Sequence, residues 1–164
     1  MKNFFRKVAF GLKPGEQVPS DPLSWAQKQV EIIPDLNWKG KYIFSEKEMR
    51  KYWITQRVEE NTTLRKKYKN DPAGFRRAEK QLENDTGAKY WPTNEICMRH
   101  AEGIRSDNPV LAKLWYFWTN HFTISNTQRL PEFSTGAYHR EFIRANMDKT
   151  FETMVYEATV AWLV

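Results

Sequence analysis

Three dipeptides constrain this chain more than any other feature: Asp21-Pro22, Asp71-Pro72 and Asn108-Pro109. Each sets a side chain able to cap a helix just before a proline whose fixed φ suits the first helical turn. After each, apolar residues recur at helical spacing. They are Leu23, Ala26 and Val30; then Phe75, Ala78 and Leu82; then Leu111, Leu114, Trp115, Trp118 and Phe122. Ser45 and Glu48 form a fourth start signal, the S-x-x-E capping box, with Met49, Tyr52 and Trp53 behind it. No segment carries the period-2 alternation of a strand, and no repeat is present. The pattern predicts an all-α fold, an irregular multi-helix bundle, with residues 1–164 as a single helical region.

The core of such a bundle has ample material. The chain holds 7 Trp and 10 Phe, and 40% of it is hydrophobic, too apolar for a disordered chain. Residues 31–44, with Pro34 and Gly40, read as an irregular connector carrying anchoring rings. Residues 58–85 read as a charged, more exposed helical arm, two helices joined near Asn70. Ile96, Cys97, His100, Ala101 and Ile104 recur as a stripe expected to face the core, which would bury Cys97. "NTQRLPEFSTG", 126–136, reads as a loop, followed by a helix with Tyr138, Phe142 and Ala145 on one face. A last helix is expected from near Asp148, with Phe151, Met154, Val155, Ala158 and Trp162 as its stripe.

Charge is uneven. Residues 1–82 hold 18 Lys and Arg against 10 Asp and Glu, net +8; the rest of the chain is net −2. The basic set Lys66, Lys67, Lys69, Arg76, Arg77 and Lys80 could contact phosphates, but no nucleic-acid reader motif accompanies it. A solubilising helix face is the simpler reading, and nucleic acid is not the expected partner. The single cysteine excludes an intrachain disulfide and a multi-cysteine metal site. No apolar run is long enough for a membrane span. The first residues, "MKNFFRKVAFGLKPGE", are broken at Lys13 and Pro14 before a signal-peptide core could form, so the chain as written reads as cytoplasmic.

Two motifs carry the candidate chemistry. In "LWYFWTNHFTIS", Leu114–Ser125, the rings are expected to be core, leaving Asn120 and His121 as polar groups that need partners if buried. In "GAYHREFIR", Gly136–Arg144, Tyr138, Glu141 and Arg144 are successive i+3 neighbours on a regular helix. Asn120, His121, Tyr138, Glu141 and Arg144 are therefore the candidate acid–base set. No local metal-ligand spacing exists among His100, His121 and His139. No metal site is expected, and His121 is the one candidate ligand. Cys97 and His100 lie one turn apart, a spacing that can activate a thiol, although a stripe cysteine is usually structural. No phosphate loop or nucleophile elbow specifies a cofactor.

"RKVAFGLKPGE", "WAQKQV", "FWTNHFTIS", "GAYHREFIR" and "FETMVYEAT", in that order, resemble the bacterial family catalogued as domain of unknown function 1800. The resemblance runs from about Arg6 to Thr159. It implies a largely helical protein without an established activity, from a family whose members are longer and are often exported. In the family, the helix matching Phe151–Thr159 runs on into His-Pro-Ala-Met, Leu-Asp-Asn and Asn-Glu-Asn segments, where this sequence reads "EATVAWLV". The expectation is an N-terminal portion of a larger helical fold, truncated relative to its family, acting as a non-catalytic scaffold or partner-binding module. Its expected partner is a protein, or the missing C-terminal part of the same fold. The alternative is the N-terminal part of an enzyme, such as a metal-assisted hydrolase, whose site later motifs complete.

Overall fold

The computed structural model describes residues 2–36, 38, 40, 42–87, 90–125 and 129–161. Among them the regular structure is helical throughout, with α1 (Lys2–Val8), α2 (Pro22–Lys28), α3 (Glu46–Lys51), α4 (Val58–Lys67), α5 (Pro72–Thr86), α6 (Trp91–Arg105), α7 (Pro109–His121), α8 (Arg129–Tyr138) and α9 (Phe151–Val160). A π-helical segment, Tyr52–Arg57, joins α3 to α4. A second, His139–Ile143, extends α8 into a short 3-10 turn, Arg144–Asn146. No described helix is long and apolar enough to cross a membrane.

The start signals act as their chemistry dictates. Asp21 accepts hydrogen bonds from the N–H groups of Leu23 and Ser24, and Asp71 accepts one from Gly74 at 2.8 Å. Ser45 and Glu48 close a reciprocal capping box. Asn108 is the exception. It precedes α7 without capping it, and the buried N–H of Val110 donates instead to Gln29 Oε1 at 3.0 Å. The end of α2 thus satisfies the start of α7, a long-range cap that no local spacing reveals.

The core has two clusters. Trp115, Tyr138, Ile143, Ala158 and Ala161 form one, covered by Leu36, Trp38, Trp118, Phe122, Phe142 and Met147 among others. Met49, Trp91 and Phe133 form the other, with Tyr42, Phe44, Tyr52 and Trp53 around them. Arg57, which is 1% exposed, ties the Tyr52–Arg57 segment to α5, donating through Nη2 to Glu83 at 2.9 Å and Glu79 at 3.4 Å. Beyond that anchor α4 buries no residue and α5 buries only Gly74.

Three expectations change. Residues 129–136 are helical, because Pro131 falls in the first turn of α8, where its missing N–H costs nothing; 126–128 lie outside the described residues. α9 starts at Phe151 with Thr150 as its cap, accepting from the Thr153 N–H at 3.2 Å; Trp162 lies outside the described residues. The α6 stripe faces outward. Ile96 and Ile104 are 51% and 74% exposed, and Cys97 and His100 are exposed with them. The buried face of α6 is Trp91, Glu95 and Gly103. A polar residue displaces the apolar stripe because Glu95 has a charged partner inside, as described below.

That inward turn of α6 needs Gly136. A Cβ at this position would lie 2.2 Å from Glu95 Cγ and 2.6 Å from its Cβ, so only glycine lets the Glu95 side chain lie across α8. Gly136→Ala should therefore lower stability by about 1–3 kcal/mol. The expected readout is a lower urea midpoint with unchanged slope. An unchanged midpoint would mean that Glu95 does not cross this turn.

Candidate functional site

The richest polar constellation lies where α6, α7, α8 and the π segment His139–Ile143 meet. Glu95, 9% exposed, receives two bonds from Arg140: Nη2 to Oε1 at 2.7 Å and Nε to Oε2 at 3.1 Å. Arg140 Nη2 also donates to the Phe44 carbonyl at 2.6 Å. One guanidinium so joins α6, α8 and the connector before α3, in the bidentate geometry that suits arginine.

One turn along α6, Arg99 Nη1 lies 2.9 Å from His139 Nδ1. A guanidinium only donates, so Nδ1 accepts and the ring proton sits on Nε2. Burial, and secondarily the Arg99 charge, push the His139 pKa down to about 3, so the imidazole is neutral at physiological pH. Arg99 Nη1 also reaches Thr119 Oγ1 at 3.4 Å, and its guanidinium carbon sits 4.9 Å from the Tyr116 ring centroid. The His139 carbonyl accepts the indole N–H of Trp115 at 2.8 Å as well as the π-type N–H of Arg144.

The π segment decides what becomes of the second motif. Its i→i+5 bonding spends an extra residue on the turn, so the i+3 face expected of a regular helix is broken up. Tyr138, 2% exposed, donates its phenol to the Ala158 carbonyl of α9 at 3.3 Å, and burial raises its pKa. Glu141 accepts the Glu46 N–H with both oxygens at 3.1 Å, so it caps the start of α3. Burial, more than any neighbouring charge, raises its pKa. Arg144, 6% exposed, sits with its guanidinium carbon 5.7 Å from the Trp115 ring centroid, and burial works against its charged form.

The first motif lies elsewhere. Asn120 and His121 are both exposed. His121 stacks on Phe117 at 5.3 Å and meets Trp118 and Phe122 edge-on. The five candidate acid–base residues thus have separate sets of partners, and no described hydrogen bond joins one to another. Among the described residues no group of three or more His, Cys, Asp or Glu could hold a metal ion. The basic set Lys66, Lys67, Lys69, Arg76, Arg77 and Lys80 is exposed at the end of α4, in the turn after it and on α5, with Arg77 3.9 Å from Asp71. Glu95 and Arg99 are the site residues the sequence hides, since they read as the wet flank of the Ile96–Ile104 stripe. The available signal is that Trp91, Glu95, Arg99 and Gly103 share one face at i+4 spacing.

An all-helical bundle with rings in its core and bidentate polar locks between helices is a class, not yet a family. The family model described as "Protein of unknown function (DUF1800)" matches residues 3–161, and the chain belongs to that family. Comparison with curated proteins and with solved structures gives no match.

The neutral His139 has a consequence in pH. Its folded pKa lies below the ordinary 6.5, so the unfolded chain binds the extra proton between about pH 3 and 6.5. Its contribution to stability is complete above 6.5 and declines as pH falls. Glu141, raised by burial, acts with the opposite sign, its contribution being lost as pH rises through its folded value. In urea melts between pH 7 and 5, His139→Gln should flatten the loss of stability that the parent shows. Parallel curves for the two proteins would contradict the buried neutral ring.

Proposed function

We propose that this protein is a helical scaffold that docks a protein partner and performs no catalysis itself. The observation that carries the reading is a connected cluster of five rings, of which Phe117, His121 and Phe151 are exposed and Trp118 and Phe122 are half-buried against the core. Phe117, Trp118, His121, Phe122 and Phe151 are linked by ring contacts of 5.0 to 6.4 Å. Phe117 and Phe151 are 52% and 59% exposed. Rings grouped at the surface, rather than scattered singly, mark an interaction site.

The occupant assigned to this cluster is the apolar face of a helix in a partner protein. Leu114, Phe117, Trp118 and His121 follow i, i+3, i+4, i+7 spacing on α7, the ridge that a second helix packs against. The cluster offers ring faces and edges, which suit an apolar counterpart. The structural employment of Tyr138, Glu141 and Arg144 also supports a scaffold, since each of them holds two elements together.

The test places a benzophenone photo-crosslinker at Phe117, with Lys80 on the arm as the control position. Position 117 should give one dominant adduct, lost on Phe151→Asp, and the partner peptide identified by mass spectrometry should be an apolar helical stretch. Equal adducts at both positions, or an adduct unaffected by Phe151→Asp, would count against the reading.

A further inference from the structure

Beside the His139–Arg99 pair, and apart from the ring cluster, lies a cavity of about 310 Å³. Trp38, Trp115, Pro92 and Ile96 give it apolar walls, and Arg99 and His139 give it polar ones. We propose that it binds a small aromatic carboxylate, with the ring against Trp38 and the carboxylate on Arg99.

Charge decides the class of ligand. Of the carboxylates that line the cavity, Glu95 is held bidentately by Arg140, and Glu132 is exposed. Arg99 has no carboxylate within ion-pair distance among the described residues. Its partners are neutral: His139 Nδ1, Thr119 Oγ1 and the Tyr116 side chain. Its Nε is buried and has no hydrogen-bond partner among the described residues. A buried donor on an uncompensated cation is an unusual thing to leave unmade, because charged groups lose most when desolvated alone. A carboxylate supplies what is missing: an acceptor for Nε and a countercharge.

His139 adds to the selection. Since its Nδ1 accepts from Arg99, the donor on its other nitrogen remains, so the imidazole offers a proton rather than a lone pair. A cationic ligand would meet a guanidinium and find Glu95 already paired. The cavity volume stands at the small end of ligand sites, room for one or two fused rings. Trp38 is only partly buried and is backed by the buried Trp115, with ring centroids 5.7 Å apart and planes inclined at 44°, so it gives such a body an apolar wall on a firm support.

The experiment is isothermal titration calorimetry with 2-naphthoate and its uncharged counterpart 2-naphthamide. The acid should bind at one saturable site, and the amide about 10- to 100-fold more weakly, the loss expected for a charge-assisted hydrogen bond. Arg99→Met should erase that preference. Because this variant also removes the His139 donor and could unfold the site, Ile96→Trp serves as the second arm. Ile96 is 51% exposed at the cavity wall, so a larger ring there should block entry while Arg99 and the fold stay intact. Lys80→Ala should leave binding unchanged. Failure of 2-naphthoate to bind saturably at millimolar concentration, equal affinity for acid and amide, or binding unchanged in both Arg99→Met and Ile96→Trp would each overturn the proposal.

Discussion

The bidentate ion pair between Glu95 and Arg140 is the interaction on which the rest of this bundle depends. Taking two charges out of water is costly, and only complete hydrogen bonding at close range recovers the cost. Here both carboxylate oxygens are met, and the guanidinium spends a further donor on the Phe44 carbonyl. Gly136 is the geometric condition for the pair, because any side chain there would occupy the space of Glu95. Once Glu95 points inward, the rotation of α6 is fixed. Trp91 then enters the second core cluster, Arg99 reaches His139, and Ile96 and Ile104 turn to solvent.

The π segment beside this pair distributes the remaining polar residues. A regular helix would have aligned Tyr138, Glu141 and Arg144 as a patch. The wider turn sends them to three neighbours: α9, the start of α3 and the Trp115 ring. Each meets a polar group or a ring of another element. Tyr138, Glu141 and Arg144, three of the candidate acid–base residues of the sequence, thus each meet a different neighbour. The exposed rings of α7 and α9, and the cavity beside Arg99, stand apart from these contacts.

Much of the architecture was legible because it is locally encoded. Asp21, Asp71 and the Ser45–Glu48 box cap helices with side chains two or three residues away, and such contacts follow from spacing alone. What stayed hidden depends on distant partners. Gln29 caps α7 from 81 residues away, and Glu95 faces inward only because Arg140, 45 residues on, is there to receive it. The α6 stripe misleads for that reason: apolar periodicity finds the core face only when no paired charge competes for it. The LWYFW stretch is half right in the same sense. Trp115 is buried and Tyr116 and Trp118 are half-buried, while Leu114 and Phe117 stand at the surface.

A double-mutant cycle at Glu95 and Arg140, measured by urea unfolding, tests the central claim most directly. Glu95→Gln and Arg140→Gln should each cost about 3–5 kcal/mol, because each leaves a buried charge without its partner. The double variant should cost less than their sum by about 1–3 kcal/mol. Single effects below about 1 kcal/mol that add within about 0.5 kcal/mol would contradict the account, placing both side chains at a solvated surface.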